Sequence, residues 1–163
     1  MTTAANPRGD DPTDAEALAR YAADLGDAVA VALPRWVQRA VATRWDQWKG
    51  EPLPPELDDA AREAADAAAA AVIDPLRTLL ATDVAEQPTN PLEILRRAVE
   101  FPTRVLASTG MPEVARDADA RRLFPDDRYD LTPGSFADID PELHEPGLHW
   151  GAAKASILLS RRR

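Results

Sequence analysis

Cysteine is missing from this 163-residue chain, which excludes disulfides, thiolate metal sites and cysteine nucleophiles. Aromatic residues are scarce at 6%, and the 45% hydrophobic share leans on alanine, which removes little area from water. Core energy must therefore come from a limited set of Leu, Val, Ile and Trp side chains. Glycine is sparse too, seven scattered residues with no phosphate-cradling loop among them. Apolar runs such as Ala67 to Ile73 fall far short of the ~20 residues that span a bilayer, so no membrane span is expected. Positive charge is in deficit. A net charge of −9 weighs against a nucleic-acid partner, because phosphate binding rests on clustered Lys/Arg. The opening residues, "MTTAANPRGDDPTDAE", show neither a basic nor an apolar leader region, so a cytoplasmic location is expected.

Proline, by contrast, is abundant, at roughly twice its usual ~5% share. Residues 1–12 read as a loose polar tail. At "TDAE" a capping box of Thr13 and Glu16 predicts a helix start. Leu18, Tyr21, Leu25, Val29, Leu33, Trp36, Val37, Val41, Trp45 and Trp48 then recur at three- and four-residue steps, a helical stripe. Pro34 should kink or restart that helix, and Gly50 should end it. A second helix is expected from about Pro55 to Ile73, with small residues on one face that admit a close neighbour. Asp74–Pro75, Asn90–Pro91, Thr132–Pro133 and Asp140–Pro141 repeat one device: a short acceptor side chain at the N-cap and proline at the first helical position. Each predicts a helix start. The helix opened by Asn90 should run to Gly110.

The expected fold is all-α, a three- to four-helix bundle over residues 13–110. Residues 111–163 should form a Pro-rich, turn-rich wrap of short helices within the same single domain. Phe124, Tyr129, Phe136, Leu148 and Trp150 are its expected anchors.

Polar chemistry is densest in "DLTPGSFADIDPELHEPGLHWG", which holds both histidines. Most of it reads as caps: Thr132 and Asp140 start turns, and Pro146–Gly147 stops the second one with His144 late in it. The sharper reading gathers Asp138, His144 and His149 around a metal, or gives Asp126 and Asp127 acid–base work. Pro-Gly between the histidines argues against a shared helix, and the pattern is not a zincin motif. Ser135 lacks the second glycine of a nucleophile elbow. No cofactor is expected.

One segment is basic and aromatic in an acidic chain: "RWVQRAVATRWDQWKG". Trp36, Arg39, Arg44, Trp45 and Trp48 are its candidate contact residues, because Trp and Arg dominate interaction hot spots. The bland alternative is a core face flanked by snorkelling arginines. Arg161, Arg162 and Arg163 could instead meet an anionic surface.

The stretches "FPDDRYDLTP" and "FADIDPELHEPGLHWGAAKA", with the basic end, resemble a set of small uncharacterised actinobacterial proteins over about the last third of the chain. The resemblance implies a bacterial, cytosolic origin and carries no functional residues. The leading expectation is a non-enzymatic interaction or regulatory protein whose partner is another protein or a second copy. The metal-dependent or acid–base enzyme and the anionic-surface binder are the alternatives.

Overall fold

The computed structural model describes residues 14–82 and 90–161, and every regular element among them is helical. The expected tail, Thr13, Arg162 and Arg163 lie outside the described residues. Helix α1 (Asp14–Lys49) is the organising element. Helix α2 (Pro55–Thr82) packs along it, helix α3 (Pro91–Arg96) leads through a 3-10 turn into α4 (Glu100–Ser108), and both long helices touch α4. Short helices α5 (Ala118–Leu123) and α6 (Phe136–Ile139) follow, and α7 (His144–Arg161) returns to pack on α1.

The stripe expected on α1 is the one it buries: Leu18, Leu25, Val29, Leu33, Trp36, Val37 and Val41 all face the core. Opposite them α2 presents Ala61, Ala65 and Ala68, each fully buried and small enough to admit a close neighbour, and Val72, Leu76 and Leu80 continue the buried face. Gly50 and Gly110 end α1 and α4 at positive φ of 66° and 77°, a conformation that glycine adopts without strain.

Three proline-based expectations are corrected. Of the kink or restart expected at Pro34, the restart is excluded, because helix α1 runs on through it. Helix α2 likewise runs through Asp74–Pro75, which starts nothing. Proline inside a helix costs ~3 kcal/mol. Here the fully buried Leu76 and Leu80 lie beyond it, and each such leucine contributes about 1.5–3 kcal/mol. Burial outweighs the local penalty.

The third correction alters the C-terminal region. Pro146–Gly147 does not stop a helix; both sit in the first turn of the 18-residue α7. Proline is tolerated there because the first-turn amides have no intrahelical acceptor. Gly147 is present for space. A Cβ on it would lie 2.9 Å from Cδ2 of Phe136, so the ring of α6 rests directly against the α7 backbone. The wrap of short helices therefore ends in a full helix, anchored by Trp150 and by the buried Leu143 just before it.

Gly147→Ala should destabilise the protein by ~1–3 kcal/mol through that clash. Gly151→Ala, where a Cβ meets nothing within 4 Å, should be neutral or stabilise by up to about 1 kcal/mol. Urea titrations of the two variants check the contrast.

Candidate functional site

Carboxylates of the expected acid–base cluster are engaged with their own backbone. Asp127 is buried, and its two oxygens accept from the amides of Leu131 at 2.9 Å and Thr132 at 2.8 Å. Asp138 accepts from the amides of Gly134 at 2.8 Å and Ser135 at 3.1 Å, completing a capping box with Ser135 on α6. Ser135, not Thr132, is thus the N-cap of that turn. Asp140 does cap the turn at Pro141, accepting from the Glu142 amide at 2.9 Å. Asn90 does the same for α3, accepting from Leu92 at 3.0 Å. Asp126 remains exposed.

His144 closes the turn begun at Pro141, its amide donating to the Pro141 carbonyl, and also opens α7, on which His149 follows. Five residues along an α-helix rotate a side chain by about 140°, so the two imidazoles point to different sides. His149 lies against Tyr21 of α1, ring centroids 5.5 Å apart and tilted by 54°. Among the described residues no group of three His, Asp or Glu is placed to hold a metal ion.

Within the Trp/Arg segment the structure separates the candidates. Trp36 and Trp45 are buried; Trp48 is half-buried, edge-on to Trp45 at 5.6 Å, with the Lys49 ammonium 4.0 Å from its ring centroid. Arg39 donates to the Ile139 carbonyl at 2.7 Å, and Arg44 donates to the carbonyl of Asp130 at 3.1 Å and to Gln47 at 2.6 Å. Both guanidiniums bind the C-terminal segment to α1. Beside them lies an open hollow of about 350 Å³, lined by Trp36, Arg39, Arg44, Asp130, Pro133 and Asp138.

A larger groove of about 600 Å³ runs between the α3–α4 segment and the turn after α5. Arg97, Glu100, Thr103, Leu123, Phe124 and Asp126 border it. Arg96 crosses its floor, donating to the Pro133 carbonyl at 3.2 Å while its guanidinium lies 4.9 Å from the Phe124 ring centroid. The volume is in the range of small-molecule sites.

Sequence reasoning missed the outward side of α7. Leu148 was expected as an anchor, yet it is 59% exposed, and Leu159 is 62% exposed. Ala152 and Ala155 between them are exposed as well. The spacing 148, 152, 155, 159 is one helix face, lying opposite the buried Trp150 and Lys154. From Pro146 to Ser160 the one charged residue is Lys154, and the fold buries it. The 4-3-4 spacing becomes visible once Pro146–Gly147 is placed inside a helix.

No family model, curated protein or solved structure significantly matches the chain.

Asp127→Ala should cost roughly 1–3 kcal/mol by stranding two amides, whereas Asp126→Ala should change stability by less than about 0.5 kcal/mol. Paired denaturation curves decide whether the two neighbouring aspartates differ as the geometry requires.

Proposed function

We propose that this protein is a non-enzymatic interaction protein that holds a protein partner on the outward face of α7. One observation carries the reading. A chain with 29% charged residues leaves the exposed side chains described between Pro146 and Ser160 uncharged, with Leu148, Ala152, Ala155 and Leu159 in one line. Charge depletion together with apolar side chains marks the core of protein interfaces. A helix apolar on two sides is one that expects cover on both.

The arginines and aspartates that suggested other activities serve the fold in this reading. Arg39, Arg44 and Arg96 bind carbonyls, and Asp127, Asp138 and Asp140 bind amides. The enzyme alternative would need Asp126 to act in the 600 Å³ groove with residues that line it, such as Arg97 and Glu100. The leading alternative for the contact face is the Trp/Arg segment, whose exposed cations are Arg35, Arg39 and Lys49.

Quantitative affinity capture from a lysate of the source cells tests the assignment. Wild-type protein should enrich a partner that Leu148→Lys/Leu159→Lys captures more than tenfold less well, about 1.4 kcal/mol or more of lost binding energy. Arg35→Ala/Lys49→Ala should capture it unchanged. Loss on the second pair and retention on the first would move the contact to α1.

A further inference from the structure

The α7 face is self-complementary. Reversing the helix about the point midway between Ala152 and Ala155 places Leu148 opposite Leu159 and Ala152 opposite Ala155. The same operation keeps Glu145, in the first turn of one α7, at the far end of the seam from Glu145 of the other. Parallel pairing would instead set Glu145 beside Glu145, which disfavours association. Reversed pairing also aligns the two helix dipoles favourably. The 4-3-4 spacing is the seam of a left-handed helix pair, and the alanines allow close approach of the backbones.

We infer that the partner is a second copy of this chain, docked antiparallel through α7 about a two-fold axis between Ala152 and Ala155. This rests on the interaction reading and narrows it to one occupant. The flanks of the face fit such a partner better than a lipid surface. An interfacial helix carries Lys and Arg along its polar side, whereas the exposed flank here carries Glu145, His149 and Ser156. Among the described residues, the body of the protein packs on the Trp150–Lys154 side and leaves Leu148, Ala152, Ala155 and Leu159 exposed to a copy of the chain.

The absence of native cysteine makes the geometry directly readable. Sedimentation velocity on the full chain should show a concentration-dependent monomer–dimer equilibrium that Leu148→Lys/Leu159→Lys shifts to monomer by at least tenfold, with its helical melting transition retained. Under mild oxidation, Leu148→Cys/Leu159→Cys should form a covalent dimer several-fold faster than Leu148→Cys alone. The two sites are about 16 Å apart along one helix, too far to bridge within a chain. Equal or faster cross-linking of the single variant would overturn the antiparallel arrangement. A dimer unaffected by the lysine variant would place self-association elsewhere and end the proposal. A protein that stays monomeric at about 100 µM would also end it, since specific pairs commonly associate at micromolar concentration or below. In that case the lysate capture still decides the broader reading: loss of a different partner on the lysine variant retains it, and capture unaffected by that variant removes it as well. Binding of the monomer to phosphatidylserine vesicles, abolished by the same substitutions, would assign the face to a lipid surface instead.

Discussion

A backbone that leaves regular structure must find partners for its amides and carbonyls, and between Met111 and Leu143 this chain finds many of them in charged side chains. Guanidiniums take carbonyls: Arg39 at Ile139, Arg44 at Asp130, Arg96 at Pro133, and Arg116 at Phe124 and Pro125. Carboxylates take amides: Asp117 at Ala120, Asp127 at Leu131 and Thr132, Asp138 at Gly134 and Ser135, Asp140 at Glu142. Tyr129, fully buried, adds its hydroxyl to the Met111 carbonyl at 2.9 Å. Each charged bond is worth on the order of 1 kcal/mol where the group is partly solvated. Their joint effect is to hold an irregular segment in one conformation across α1 and α3, and so to fix where α7 begins.

This use of charge explains why the same residues looked chemical in the sequence. An aspartate that caps a turn and an aspartate that takes a proton are the same letter, and only its neighbours in space distinguish them. Asn90–Pro91 and Asp140–Pro141 were legible as caps because everything a cap needs lies within three residues. Thr132–Pro133 was misleading: the Thr132 amide is already held by Asp127, and the turn starts at Ser135. Asp74–Pro75 and Pro34 failed to restart a helix for a different reason. Their local signal was sound, but fully buried leucines and valines on both sides were worth more. The all-α class and the buried stripe of α1 could be read because a 3.6-residue period extends over many turns and no single residue decides it.

Pro146–Gly147 shows how one local error hides an exposed apolar face. Treated as a terminator, it divides the C-terminal third into fragments too short to have faces, and Leu148 becomes an anchor by default. Treated as the first turn of α7, it puts Trp150 and Lys154 inward and Leu148 and Leu159 outward. What decides between the two is non-local: the Phe136 ring occupies the space that any side chain at 147 would need. Glycine stands there for packing, and a sequence alone does not separate that from glycine at a helix end.

The inward side of α7 bears on what its outward side can do. Trp150 is buried, the Lys154 ammonium lies 5.0 Å from its ring centroid, His149 rests on Tyr21, and the backbone at Gly147 rests on Phe136. These contacts fix the helix in rotation as well as in position, so the line from Leu148 to Leu159 is presented ready-made. A partner that docks there does not pay to order the helix, which is the usual toll on short recognition segments. Nearby charge is engaged elsewhere: Arg39, Arg44 and Arg96 reach to carbonyls of the irregular segment, and Lys154 of α7 is buried. The charged hydrogen bonds and caps that hold the irregular segment and the charge-poor face of α7 are therefore two consequences of one distribution of charge.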